Sequence, residues 1–431
     1  MKFVVNGGKK LEGTIKLAGA KNATNKMMVA SLLTSEPCEL ENFPNIDEVD
    51  ITAELCEHIG TKIEKDGDTL KLHTPEILNT EVSNLTRRNR LPILTLGPLL
   101  ARVGKAKIPI VGGDKIGPRP VDMHIEALQA MGAVINFDDE YYSATAPDGL
   151  RGTRIHLRYP SVMATENIIL AGTLAKGRTV INNAATEPEI VDLIKMLQKM
   201  GAIIEMGADR SVYIDGVSEL HGAKHKVLPD RNEAASFASL AVASGGNILV
   251  EGAIQEHIMT FLNALRKVGG EYEVLEEGIR FWRAGPLKGI EVETDTHPGF
   301  MTDWQQPFLV LLTQASGSSI VHETVYEDRF GYVETLNSMG ADIKLFPRCL
   351  GELKCRFSGQ NHNHSALING PTKLRGVEMK VKDLRAGIAN IIAALVAEGE
   401  STIEGAEEID RGYEYIEKRL GNLNADIKRI K

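Results

Sequence analysis

Cysteine is scarce in this chain. Cys38, Cys56, Cys349 and Cys355 are too few and too scattered to build a disulfide framework. Long apolar runs are missing as well. No stretch approaches the roughly eighteen apolar residues of a membrane span. The opening Met1-Lys2-Phe3-Val4-Val5-Asn6-Gly7-Gly8 has no apolar core of signal-peptide length. A cytoplasmic protein with no membrane attachment is therefore expected. Positive charge is in deficit, with 49 Lys and Arg against 58 Asp and Glu, a formal net charge of -9. That balance argues against a nucleic-acid protein. It leaves room for a small anionic substrate, because a local cluster of Arg and Lys holds phosphate inside a globally acidic protein. What is present is an ordinary globular mixture, 43% hydrophobic and 25% charged. At 431 residues the chain is too long for one core, so two large domains are expected.

One pattern recurs along the chain: a helical end, a glycine, then a β-type segment. It appears at Ile59-Gly60-Thr61, Met131-Gly132-Ala133, Met200-Gly201-Ala202, Val268-Gly269-Gly270, Met339-Gly340-Ala341 and Leu423-Asn424-Ala425. The steps from Gly60 to Asn424 are 72, 69, 68, 71 and 84 residues. A glycine or Asn there suits a helix C′ residue in left-handed conformation. A second pattern lies 23 to 28 residues earlier in each copy, where an apolar helix gives way to a strand, as in Leu174-Ala175-Lys176-Gly177-Arg178-Thr179-Val180-Ile181. Each unit reads helix, strand, loop, helix, strand. Its first helix is apolar on most sides, as in Asn167 to Leu174, which predicts burial inside a domain. Six such units fall into two groups of three, with function expected in the cleft between them. A bare repeat scaffold for protein partners is the non-enzymatic alternative. The charge gathered in the loops favours an enzyme. The long last step marks an insertion within Phe346 to Lys373 holding Cys349, Cys355, His362 and His364. Its Cys-x5-Cys spacing does not match the usual zinc knuckle, so it reads as a polar surface loop.

Four places carry possible chemistry. Gly19-Ala20-Lys21-Asn22 turns into the apolar helix Met27 to Leu33, where backbone N–H groups and Lys21 favour an anion. Gly112-Gly113-Asp114-Lys115-Ile116-Gly117-Pro118-Arg119 is not a nucleotide P-loop, because Gly117 precedes Pro118 rather than Lys. It reads as a movable loop carrying Asp114 and leading into Arg119-Pro120. Asp303 opens the apolar helix Phe308 to Leu312. Arg90, Arg329, Arg385 and Arg411 lie on different units, with Arg329 and Arg411 at matched points after the first strand. Arginine suits bidentate carboxylate and phosphate recognition.

Together these motifs resemble the enolpyruvyl transferase family from about Phe3 to Ile430. The most specific parts are Gly19-Ala20-Lys21-Asn22, Gly117-Pro118-Arg119-Pro120-Val121-Asp122, Glu187-Pro188-Glu189, Leu228-Pro229-Asp230-Arg231, Glu323-Thr324-Val325 and Asp383-Leu384-Arg385. The resemblance implies an α/β (α+β) fold, a two-domain inverse α/β barrel of six β-α-β units. It implies one domain of 1–20 with 231–431 and another of 21–230, with crossings near 20–21 and 229–231. The implied reaction moves the enolpyruvyl group of phosphoenolpyruvate to the 3′-hydroxyl of UDP-N-acetylglucosamine and releases phosphate. That reaction begins peptidoglycan precursor synthesis. By the same resemblance Lys21, Arg119, Arg385 and Arg411 hold phosphoenolpyruvate. Asn22, Arg90, the Arg119-Pro120-Val121-Asp122-Met123 stretch, Ser161, Val162, Asp303, Val325 and Arg329 match substrate positions. Asp303 accepts the hydroxyl proton and Asp114 is the general acid at C3. No cofactor and no metal are expected.

Two positions depart from the family pattern. Asp114 stands where most members have cysteine, and a carboxylic acid there must be held neutral to donate. Since fosfomycin alkylates that cysteine, resistance is expected. Met163 stands where glycine is usual beside the diphosphate. Two enzymatic alternatives share the fold: a paralogue acting on another uridine nucleotide, and 5-enolpyruvylshikimate-3-phosphate synthase. The second favours a Gly-Ser-Lys-Ser turn where this chain has Gly19-Ala20-Lys21-Asn22.

Overall fold

The computed structural model describes residues 1–83, 85, 89–110, 120–352, 355–381 and 383–430. Asp114 and Arg119 lie outside the described residues. The chain divides into two compact units, one of Met1–Ala18 with 229–430, the other of 19–110 with 120–228.

The repeat is clearest from Arg154 to Asp215. Strand Arg154–His156 leads into helix Val162–Gly172, then strand Arg178–Asn182, helix Pro188–Lys199 and the hairpin Ile203–Met206 with Val212–Asp215. The first two strands pair in parallel, with Ile155 opposite Ile181. The other pairs are antiparallel, with Thr179 opposite Ile214 and Ile204 opposite Ile214. Among the described residues, four other sheets have the same parallel, antiparallel, antiparallel order. A sixth has three strands, and a parallel bridge from Glu81 to Lys107 stands where its fourth would be. Among the described residues, five units thus add a leading edge strand beyond what the sequence pattern shows and five close on a hairpin, while in the sheet of the termini Lys2–Asn6 instead pairs with Asp426–Ile430. Several of these strands are only three to five residues long and half exposed, too short for a period to register.

The first helix of each repeat is buried because it faces its own sheet on one side and sister helices on the other. In the unit holding both termini, helices Arg231–Ala243, Gln305–Leu312 and Leu384–Val396 touch one another and the sheets they belong to. Every residue of Arg231–Ala243 and of Gln305–Leu312 is buried. In the other unit helix Pro92–Val103 touches both Lys21–Ala30 and Val162–Gly172. Helices lie inside and sheets outside, the inverse of an ordinary barrel. The second helix of each repeat is amphipathic and leaves one face to water, as in Met259–Val268. At its end the recurring residue is left-handed in all six copies: φ is 130° at Gly60, 98° at Gly132, 100° at Gly201, 105° at Gly269, 104° at Gly340 and 63° at Asn424.

Chain connectivity explains the division into units. Strand Glu12–Lys16 pairs with Asn247–Glu251, not with the strand that follows it in sequence. Lys224–Lys226 likewise pairs with Cys38–Glu41. The chain therefore leaves each sheet to supply a helix of another repeat. Gly19 is required at the first passage, because an added Cβ would overlap the carbonyl oxygen of Asn42. The second passage ends on Asp230, which caps helix Arg231–Ala243 by accepting from Asn232 N at 2.7 Å and Glu233 N at 3.3 Å. Such a cap contributes about 1 kcal/mol.

Candidate active site

The candidate residues occupy two recurring places in the repeat. One is the N-terminus of a buried helix, where unpaired backbone N–H groups and the helix dipole favour negative charge. Lys21 and Asn22 open helix Lys21–Ala30, Arg90 lies just before Pro92–Val103, and Ser161 and Val162 begin Val162–Gly172. Asp303 sits in the 3-10 turn Thr302–Trp304 before Gln305–Leu312, and Arg385 is the second residue of Leu384–Val396. The other place is the loop after the central parallel strand. Arg329 and Arg411 each lie seven residues beyond such a strand, Gly317–His322 and Glu400–Glu404.

In the unit with the termini, three candidates meet. Asp303 Oδ2 accepts from Arg385 Nε at 3.2 Å, and Oδ1 accepts from Arg329 Nη2. The arginine side chains are only 6% and 8% exposed, while Asp303 keeps 21%. Burial by itself lowers the pKa of Arg385, but Asp303 reverses this and raises it above the ordinary arginine value. Arg385 is oriented from three sides. Its backbone N–H donates to the Asp383 cap at 2.9 Å, and its Nη1 donates to the Tyr413 hydroxyl at 3.3 Å. Tyr413 in turn meets Ser236 Oγ at 3.0 Å. Burial pushes the Tyr413 phenol up to about 12 against the pull of Arg385, so it stays protonated.

Asp303 also adjoins an aromatic cluster, through Trp304 in the same turn. Aromatic residues make up only 5% of the chain, yet Phe261, Phe300, Trp304 and Phe308 gather here with ring centroids 5.3 to 6.2 Å apart. Trp304 Nε1 donates to Asn232 Oδ1 at 3.0 Å, and the Arg231 guanidinium lies 5.6 Å from the Trp304 ring. Val325 joins the cluster through Glu323. One Glu323 oxygen accepts from Val325 N at 2.7 Å and Tyr326 N at 3.1 Å, and the other from Thr302 Oγ1 at 2.9 Å. Burial raises the Glu323 pKa, opposed by Arg329 and by the Val325 N–H. Arg411 is placed differently. Its guanidinium meets Glu408 at 3.0 Å, while its near neighbour Tyr413 reaches Arg385.

In the other unit Lys21 Nζ lies 3.9 Å from Glu48 Oε1, both side chains largely buried. Asn89 Oδ1 accepts from Leu91 N at 2.8 Å and so fixes the backbone on either side of Arg90. His124 is buried and receives the Asn167 side-chain amide at Nδ1, 3.1 Å away. Burial, helped by the charge of Arg90, lowers its pKa to about 3, so it is neutral at physiological pH. Pro120 is exposed, Val121 is buried, and Asp122 and Met123 open helix Asp122–Ala130. Ser161 caps its helix by accepting from Ala164 N at 3.4 Å. Arg158 ties the two stretches together by pairing with Asp122 and, at 3.0 Å, with Glu126. Met163 packs against the hydrophobic core of this unit.

Sequence reasoning did not single out Glu323, Tyr413, Arg158 or Arg231 as working residues. Glu323 and Arg231 stood inside quoted motifs, but their contacts depend on partners distant in sequence. Glu166 was also passed over. It is buried, both its oxygens lack a hydrogen-bond partner among the described residues, and burial raises its pKa to about 8.

The chain is thus a sixfold repeat of inside-out α/β units in which a carboxylate at a buried helix start, Asp303, is held between the guanidinium groups of Arg385 and Arg329. The family model for EPSP synthase (3-phosphoshikimate 1-carboxyvinyltransferase) matches residues 5–420, and the chain belongs to this enolpyruvyl transferase family. The UDP-N-acetylglucosamine 1-carboxyvinyltransferase of Protochlamydia amoebophila (strain UWE25) is 50% identical over 435 residues, covering 99% of this chain and 94% of the relative. That of Chlamydia abortus (strain DSM 27085 / S26/3) is 49% identical over 429 residues, covering 98% and 97%. Among solved structures, the enolpyruvyl transferase NikO from Streptomyces tendae has a TM-score of 0.84 at 21% identity, covering 99% of this chain and 98% of its own, and shows the shared fold. Among the described residues, no helix is long and apolar enough to cross a membrane.

Proposed function

We propose that this enzyme transfers the enolpyruvyl group of phosphoenolpyruvate to the 3′-hydroxyl of UDP-N-acetylglucosamine, releasing phosphate, in the cytoplasm. The observation that carries this reading is identity of 49–50% over 98–99% of the chain to relatives of that activity. The geometry supports it. Both oxygens of Asp303 are engaged by arginines, so its orientation is set before a hydroxyl arrives.

In the proposed addition, Asp303 takes the proton of the 3′-hydroxyl as that oxygen bonds to C2 of phosphoenolpyruvate. Asp114 gives a proton to C3. In the elimination that follows, C3 loses a proton, the C2–C3 double bond re-forms and phosphate leaves C2. Lys21, Arg119, Arg385 and Arg411 balance the phosphate and carboxylate charges. Asn22, Arg90, residues 120–123, Ser161, Val162, Val325 and Arg329 hold the sugar nucleotide. The test is phosphate release from phosphoenolpyruvate with UDP-N-acetylglucosamine, another UDP-sugar, shikimate 3-phosphate or no acceptor. Turnover only with shikimate 3-phosphate would transfer the assignment to the sister activity. Turnover only with another UDP-sugar would make the protein a paralogue.

A further inference from the structure

Four side chains far from one another in sequence converge beside the strand that carries Glu323. His322 ends strand Gly317–His322, Cys349 and Cys355 lie in the loop after strand Asp342–Phe346, and His364 directly precedes strand Ser365–Gly370. One ligand atom from each lies within 4.8 Å of all the others. Cys349 Sγ is 3.7 Å from Cys355 Sγ and 3.5 Å from His364 Nε2. Zinc bonds of about 2.3 Å to sulfur and 2.0–2.1 Å to nitrogen, at tetrahedral angles, give edges of about 3.8 Å between sulfurs and 3.5–3.6 Å from sulfur to nitrogen. The observed spacings match both edges. A disulfide needs sulfurs at about 2.05 Å, so this pair is not bonded.

Both histidines are prepared as ligands. His322 Nδ1 donates to Glu293 Oε2 at 2.7 Å, and His364 Nδ1 donates to the His362 carbonyl at 2.7 Å. A carboxylate and a carbonyl only accept, so the neutral form of each ring carries its proton on Nδ1 and its lone pair on Nε2. This outer support is the arrangement that orients metal-bound imidazoles. Both rings are fully buried, and His322 Nε2 has no hydrogen-bond partner among the described residues. A buried acceptor left unsatisfied is costly, and a cation removes that cost. Gly351 closes over the pair: an added Cβ would overlap both Glu293 Oε2 and His322 Nδ1.

We propose that Cys349, Cys355, His364 and His322 bind one zinc(II) ion in a closed tetrahedral site. Each thiol loses its proton on binding, so two thiolates neutralise the ion. Four protein ligands leave no open position, which makes the role structural. The ion joins the 347–364 insertion to the strand that leads into Glu323 and Val325. Arg356, next to Cys355, donates to the Val325 carbonyl. The proposed site differs from the sequence reading of this segment as a polar surface loop. The Cys-x5-Cys spacing is unusual because the remaining ligands come from two other strand ends.

The test is metal analysis of the full-length protein, purified without a polyhistidine tag and incubated with zinc. The expected result is one zinc per chain, with cobalt(II) substitution giving thiolate charge-transfer and tetrahedral d–d bands. Cys349→Ser, Cys355→Ser and His322→Gln should lose the metal, and His362→Gln, altering an exposed side chain, should keep it. Glu293→Gln should weaken affinity about 10–100-fold in chelator competition. A second readout needs no variant: zinc should protect both thiols of the insertion from alkylation, and a chelator should expose them. Wild-type protein that binds no zinc, alkylation rates unchanged by zinc, or a Cys349–Cys355 disulfide in the purified chain would overturn the proposal.

Discussion

Asp303→Asn isolates what the central carboxylate does. The substitution keeps the side chain's shape and removes the charge held between Arg329 and Arg385. Removing one partner of a buried ion pair costs about 3–5 kcal/mol, because the other charge is left uncompensated. Asp303 is 21% exposed and the amide retains one oxygen acceptor, so the low end, about 3 kcal/mol, applies. For a unit of this size each kcal/mol moves Tm by about 2–4 °C, which gives a fall of roughly 6–12 °C. Because both arginines are buried, added salt should restore little of it. The proposed base role adds a separate loss, roughly 10²–10⁴-fold in kcat below the transition. Calorimetry and a phosphate-release assay at 20–25 °C read the two effects independently. A Tm within about 2 °C of wild type would refute the energetic reasoning for the ion cluster. A kcat within tenfold of wild type in a folded variant would refute the role as base.

Other predictions are more local. Glu166→Gln tests a buried acid. The folded pKa of Glu166, about 8, lies above the unfolded carboxylate value of 4.5, so the folded state holds the extra proton between them. Stability from this group is therefore intact below pH 4.5 and is lost as pH rises towards 8. The Gln variant should gain Tm over wild type at pH 8 but not at pH 4.5; equal shifts at both would contradict this. Fosfomycin should not inactivate the enzyme over time, and an adduct on Asp114 in the mass spectrum would sink that expectation. Asp114→Asn should lose most turnover while still binding UDP-N-acetylglucosamine by calorimetry; near-normal turnover would remove Asp114 as the acid. Gly19→Ala should lower stability and activity together, because its Cβ meets the Asn42 carbonyl and the strain falls on the Lys21 turn. An unaltered variant would show that the turn relaxes freely.

Much of the frame can be read from the chain alone. The left-handed residues at the six helix ends and the buried character of the first helices follow from local composition, because burial and helix termination impose residue types at fixed positions. The places where Lys21, Asp303 and Arg385 stand are equally local, since a helix start is marked in the sequence itself. Their partners are not. Asp303 meets Arg329 and Arg385 from 26 and 82 residues away, and Glu323 joins Thr302 to Val325 only when the turn Thr302–Trp304 is brought to the end of strand Gly317–His322. The swapped strands Glu12–Lys16 and Lys224–Lys226 are beyond local reading for the same reason: they pair with sheets whose own strands lie far along the chain. The insertion shows the difference most sharply. Its cysteines and histidines are visible in sequence, but His322 belongs to a strand in an earlier part of the repeat. Local chemistry set each residue's neighbours along the chain, and long-range pairing alone decided which of them share a site.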